Sequence, residues 1–107
     1  MNVVTNNDLQ CTIALAALEN VLDPEIGLNV VDLGLIYRLE FDEPGLGIAV
    51  AMTLSTPYCP MGESITAAVE QVLKETFTGI SVTIELTFQP PWSYDRISEA
   101  GKIFLSR

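Results

Sequence analysis

The stretch Leu35–Leu54, LIYRLEFDEPGLGIAVAMTL, decides the fold. Leu35, Tyr37, Leu39 and Phe41 alternate with Ile36, Arg38 and Glu40, which is the period of a strand with one buried face. Glu43-Pro44-Gly45-Leu46-Gly47 supplies turn residues, and Ile48–Leu54 reads as the return strand. There Val50 and Met52 share one face with Leu54, and Ala49 and Ala51 share the other. A two-stranded hairpin is marginal alone and needs a third strand or a helix against its apolar face.

The flanks supply both. Upstream, a helix is expected from Asn7 as N-cap to about Leu22, with Leu9, Ile13, Ala16, Ala17 and Val21 inward and Leu18 and Leu22 alongside. Asp23-Pro24 stops it, because the residue before a proline is pushed out of helical geometry. Glu25–Gly34 reads as an ordered loop. Downstream, Ser55–Gly62 is a loop, followed by a helix to about Thr76 with Ile65, Ala68, Val69 and Val72 inward, and Gly79 near its C-cap. Val82, Ile84, Leu86 and Phe88 alternate as a third strand, which Pro90-Pro91 ends. SYDRISEAGKIFLSR reads as a short helix and a final extended piece. The expected fold class is α+β: a small mixed sheet of about three to four strands with helices packed on it, a single compact domain over residues 1–107.

Composition excludes several classes of function. Five basic against fourteen acidic residues give a net charge of −9, so neither nucleic acid nor an anionic membrane is an expected partner. No apolar stretch approaches the ~18 residues of a membrane span. MNVVTNNDLQ lacks a basic segment followed by an apolar one, so a cytoplasmic protein with reduced thiols is expected. The two cysteines, Cys11 and Cys59, are far apart and there is no histidine. Zinc-finger spacing and Cys–His or Ser–His–Asp catalysis are therefore absent.

Cys59 is the sharpest chemical feature. Thr56-Pro57-Tyr58-Cys59-Pro60 lies at a strand-to-helix junction, with Pro60 suited to the first helical position and Cys59 to the N-cap. A helix N-terminus stabilises a thiolate, the form that attacks electrophiles and binds metals. A buried structural cysteine is the other reading of the same position, and packing is the better one for Cys11, inside a helix. Asp23 and Glu25 share a constrained turn, where capping competes with iron binding or base catalysis. Asp32 interrupts the apolar run NVVDLGLI and needs a backbone N–H, a cation or solvent. Thr53, Ser55 and Thr56 place hydroxyls just before Cys59, to bond a thiolate or sulfide or to cap the loop. Trp92, in Pro90-Pro91-Trp92, is a core lid or a partner anchor.

Four strings in this order resemble the SufT/PaaD-like family, whose domain also fronts some Mrp-type P-loop ATPases. They are Asp23-Pro24-Glu25-Ile26, Val30-Val31-Asp32-Leu33-Gly34-Leu35-Ile36-Tyr37, Met52-Thr53-Leu54-Ser55-Thr56-Pro57-Tyr58-Cys59-Pro60, and Pro90-Pro91-Trp92 with Ile97-Ser98 beyond. The resemblance runs from about Leu9 to Leu105. It implies a compact α/β domain serving the maturation of iron–sulfur proteins. It also implies one site made of Cys59, Asp23, Glu25, Asp32, Thr53, Ser55 and Thr56. Ser55 stands where threonine is frequent. PaaD-type members carry a further cysteine-rich part not seen in this sequence, so a role identical to theirs is not expected. The ATPase fusion's P-loop motif is also absent.

The expected function is an auxiliary factor in cluster assembly or transfer to apo-proteins, not an enzyme. Its partners are the iron–sulfur assembly machinery and apo client proteins. Cys59 is then a transient iron–sulfur ligand, with no cofactor tightly bound. A cluster takes about four ligands, mostly thiolates, so one cysteine must share it with another molecule, for which a homodimer is one arrangement. Two alternatives stand beside this: an enzyme with Cys59 as nucleophile and Asp23 or Glu25 as base, and an interaction adaptor in which Cys59 is incidental.

Overall fold

The computed structural model describes residues 3–6, 8–24, 26–42, 47–55 and 62–106. The hairpin is its centre. β2 (Ile36–Phe41) and β3 (Gly47–Met52) pair antiparallel. Asp42 closes the hairpin twice: its N–H donates to Gly47 O at 2.9 Å, and its Oδ1 accepts from Gly47 N at 2.7 Å. The expected turn residues 43–46 lie outside the described residues.

The third expected strand is β4 (Ser81–Leu86), parallel to β3. A parallel neighbour needs a crossover, and α2 (Gly62–Thr76) supplies it. Its buried positions Ile65, Val69 and Leu73 recur at helical spacing, with Ala68 and Val72 half-buried beside them. β4 stops at Leu86, before the expected Phe88. Leu86 at the end of this edge strand and Phe88 beyond it are partly exposed.

A two-residue strand, β1 (Val4–Thr5), lies parallel to β2 and completes the order β1-β2-β3-β4. The Asn6 side chain then imitates one more rung, donating Nδ2 to Phe41 O at 2.8 Å and accepting from Phe41 N at 2.9 Å. Tyr94–Arg96 forms one 3-10 turn, and α3 (Glu99–Leu105) stands where an extended piece was expected.

α1 spans Asp8–Leu18, four residues short of the expected end, and Glu19 and Asn20 form a turn. Its inward arc is Cys11, Ala14 and Leu18, whereas Leu9 is 72% and Ile13 43% exposed. The helix is apolar almost all round, so periodicity alone cannot select an arc. Size does so in the fold. Cys11 and Ala14 are small enough to let the helix approach β2, and Cys11 Sγ donates to Leu39 O at 3.6 Å.

The sheet also corrects one strand assignment. Ile36 pairs with Met52 but Arg38 with Ala51, so the register shifts at a bulge around Tyr37. A bulge sets two residues against one and re-aims side chains. Ile36 therefore joins Leu39 and Phe41 in the core. Tyr37 stands outside that cluster, with the Arg96 guanidinium 4.0 Å above its ring centroid.

The loop before β2 is held from several sides. Residues 28–35 (LNVVDLGL) are mostly buried without helix or strand, and buried backbone groups need partners. Val30 N donates to Val21 O at 2.9 Å and Leu35 N to Val30 O at 3.0 Å. The Trp92 indole donates to Leu33 O at 2.7 Å, Arg96 Nε to Gly34 O at 3.3 Å, and Ser98 N to Asp32 O at 2.8 Å. Trp92 is thus the lid of the two readings offered by the sequence.

Gly34 adopts φ +76°, and a Cβ there would stand 2.3 Å from Arg96 O. Gly34→Ala is expected to lower unfolding free energy by about 2–4 kcal/mol through strain and overlap together. Gly79 has φ +85° with open space around it, so Gly79→Ala should cost only about 1–2 kcal/mol. Urea unfolding of both variants tests the contrast; equal losses would mean that the Arg96 backbone contact contributes nothing.

Candidate functional site

Three of the seven residues assigned to the site from sequence, Glu25, Thr56 and Cys59, lie outside the described residues. The other four are Asp23, Asp32, Thr53 and Ser55.

Thr53 follows β3 directly. It is fully buried, and its N–H donates to Leu35 O at 2.8 Å, extending the hairpin by one bond. Its hydroxyl faces Leu54 O at 3.4 Å, a local bond of the capping kind. Ser55 is half-buried beyond it. A Cβ at Gly62, the first residue of α2, would come within 2.7 Å of Leu54 Cδ1. Glycine thus lets α2 start against Leu54, and the segment carrying Cys59 is bracketed by two elements in contact.

Asp23 sits in a turn that follows the antiparallel bridge of Leu22 with Asn29. Its N–H donates to Leu28 O at 3.0 Å, and its carbonyl accepts from Ile26 N at 3.2 Å and Gly27 N at 2.7 Å. Gly27 completes the turn at φ +84°. The residue is 1% exposed. Three backbone bonds connect this turn to the end of β3: Thr53 N to Leu35 O, Leu35 N to Val30 O, and Val30 N to Val21 O. Thr53 and the Asp23 turn therefore belong to one end of the sheet.

Asp32 is engaged by two neighbours. Asn29 Nδ2 donates to its Oδ2 at 2.6 Å, and its N–H donates to Asn29 Oδ1 at 2.8 Å. Ser98 Oγ donates to Asp32 Oδ1 at 2.7 Å while accepting from Gly101 N at 3.0 Å as the N-cap of α3. The acid that interrupts the apolar run thus finds its partners inside the fold and fastens the C-terminal helix to the buried loop. Asn29 went unnoticed in the sequence. Its place three residues before Asp32, in a segment with no other polar side chain, was the available signal.

Of the two thiols, Cys11 is spent on packing, at 2% exposure. Among the described residues, no three Cys, Asp or Glu side chains gather into a ligand set, and no helix is long and apolar enough to cross a membrane.

Comparison with known proteins places these features in a wider set. Residues 13–86 match the family model described as iron–sulfur cluster assembly protein. The chain is 36% identical over 91 residues to the Fe-S protein maturation auxiliary factor YitW of Bacillus subtilis (85% of this chain, 88% of that protein). It is 39% identical over 85 residues to the Fe-S protein maturation auxiliary factor SufT of Staphylococcus aureus (79% and 96%). Its fold matches the crystal structure of a domain of unknown function, DUF59, from Bacillus anthracis, with TM-score 0.84, 32% identity and coverage of 94% and 98%.

The Asp32–Ser98 link should appear as thermodynamic coupling. Ser98→Ala removes the α3 cap and is expected to cost about 1 kcal/mol. Asp32→Ala should cost at least as much, since it leaves Asn29 and Ser98 without their acceptor. In a double-mutant cycle the pair should couple by at least ~0.5 kcal/mol. Strict additivity in urea unfolding would show that the two side chains act apart.

Proposed function

This chain belongs to the iron–sulfur cluster assembly protein family, and on that premise we propose that it is a non-catalytic auxiliary factor handing cluster cargo to apo-proteins through Cys59. The observation that carries the reading is the fate of the other thiol. The chain has two cysteines, and Cys11 is buried between α1 and β2, donating to Leu39 O. Thiolate chemistry in this chain therefore falls to Cys59. The matched region spans its segment, and the relatives named above are called auxiliary factors.

Asp23 and Thr53, at one end of the sheet, and Ser55 beyond them are the described groups that would face this chemistry. Glu25 and Thr56 join them by sequence position. Carboxylate and hydroxyl oxygens are hard donors that suit iron more than sulfide, and nearby acids oppose a thiolate by like-charge repulsion. The reading assigns Cys59 to a cargo-bound thiolate, stabilised by the iron it touches, in preference to a free nucleophile. Asp32, already bonded to Asn29 and Ser98, acts in this reading by holding the loop.

One cysteine offers one of the about four ligands a cluster takes. The remaining ligands come from a second molecule: a client, a scaffold or another copy of this chain. Two Cys59 thiolates about a two-fold axis would meet that need in part.

In cells lacking the wild-type chain, Cys59→Ser should leave iron–sulfur enzyme activities as low as no complementation does, at normal protein level. Cys11→Ala, supplied at matched level, should restore them. Full activity with Cys59→Ser would overturn the assignment of the thiol.

Anaerobic reconstitution with iron and sulfide should give weak, oxygen-sensitive uptake that moves the chain from monomer to dimer on sizing and disappears in Cys59→Ala. A tightly held cluster on a monomer, or one that survives Cys59→Ala, would place the ligands elsewhere.

A further inference from the structure

The two faces of the sheet are unequal. α1 and α2 cover one, while the other leaves Arg38, Ala49, Thr83 and Glu85 exposed. A groove of about 520 Å³ runs across this open face beside the Tyr37 bulge, within the size range of small-ligand sites. Ala51 lies between the flanking strands as its floor. Tyr37, Arg38, Glu85 and Arg96 are its aromatic and charged lining, and Thr87 and Pro90 close one end.

Two of the chain's five cationic residues line this groove, in a molecule of net charge −9. The bulge sets Tyr37 and Arg38 together opposite Ala51. Arg96 arrives from the 3-10 turn and is fixed in three ways. Its guanidinium lies 4.0 Å over the Tyr37 ring, its Nε donates to Gly34 O at 3.3 Å, and the Tyr37 hydroxyl beneath it donates to Pro90 O at 2.8 Å. These contacts use the ring-facing side and Nε. Among the described residues no acceptor is bonded to the terminal Nη1 and Nη2 groups. Arg38 pairs with Glu40 at 3.0 Å, both side chains about half exposed. Such a surface pair is worth little and exchanges readily for another carboxylate.

A stacked, oriented guanidinium whose terminal donors bond no described residue is pre-organised for bidentate bonding to a planar carboxylate. Glu85 sets a like charge in the same groove, which disfavours polyanions and leaves room for a single carboxylate at Arg96. We propose that this groove is a carboxylate-binding site in which Arg96 is the fork and Arg38 the second cation. The carboxylate comes either from a small organic acid or from an acidic side chain of a partner protein. This site is separate from the proposed role of Cys59 and stands or falls without it.

The test is a titration of the isotope-labelled chain, followed by backbone and arginine N–H resonances at fixed ionic strength. The probes are succinate and, separately, a capped tripeptide with one central glutamate, with sodium chloride as the balancing salt. The expected result is saturable shifts at the amides of Ala51, Glu85 and Thr87 and at Arg96 Nε–H. Arg96→Lys keeps the charge but loses the fork, and should bind about tenfold more weakly. Ala51→Leu fills the floor from a half-exposed position, so it should abolish the shifts while leaving the remaining spectrum dispersed, even if Arg96→Lys disturbs the fold. Saturation by succinate alone supports a small acid, and saturation by the peptide supports a partner's side chain. Saturation by neither, the same shifts with chloride, or undiminished binding in Ala51→Leu would overturn the site.

Discussion

The structure depends on satisfying the backbone of a buried segment that has no regular structure of its own. Residues 28–35 run through the core without helix or strand, where an unpaired N–H or C=O costs about 1–3 kcal/mol. Local turns meet part of the need, Leu33 N reaching Asn29 O and Gly34 N reaching Val31 O. The rest comes from distant parts of the chain: Val21, Thr53, Trp92, Arg96 and Ser98. The hairpin, the Asp23 turn and the C-terminal segment are thereby fastened to one another through this loop. The apolar side chains of Leu28, Val30, Val31, Leu33 and Leu35 anchor it by burial, and the hydrogen bonds fix which groups surround it.

That constraint accounts for residues whose chemistry suggested other work. Trp92 has the size and amphipathic character of a partner anchor, yet its indole completes Leu33 O. Asp32 reads in sequence as an acid available for function. In the fold it receives Asn29 and Ser98 and caps α3 at one remove. A polar residue in an apolar run is a demand for partners, and partners can lie far along the chain, here 66 residues away at Ser98. The same segment also ties to the residues of the candidate site, since Leu35 O bonds Thr53 N and Val30 N bonds Val21 O, two residues before Asp23.

Membership of the iron–sulfur cluster assembly family gives this architecture a purpose. A factor that passes its cargo on needs few ligands of its own, because a full ligand set would retain the cluster. In the proposed role, a chain with one thiol committed to the core meets that requirement by subtraction. Its acidic surface and an open sheet face leave room for contacts that helices cover on the other side. The Tyr37 bulge connects the two themes: it preserves the core by turning Ile36 inward, and it equips the open face by turning Tyr37 and Arg38 outward.

The amino-acid sequence by itself determined the hairpin strands, helix α2, a third strand and the family, because alternation, helical spacing and turn residues are local signals. Cys59 and its hydroxyl neighbours were singled out on the same kind of signal, a short contiguous string. Only the tertiary structure decided which arc of α1 turns inward, since Leu9 and Ile13 are as apolar as Leu18 and the small Cys11 and Ala14 set the approach to β2. It alone decided the bulge at Tyr37, because a one-residue register shift leaves no mark on an alternating strand until its partner is present. It alone decided that Asp32 belongs to Asn29 and Ser98, because hydrogen bonds across 66 residues are fixed by the packing of the whole chain and not by any window of it.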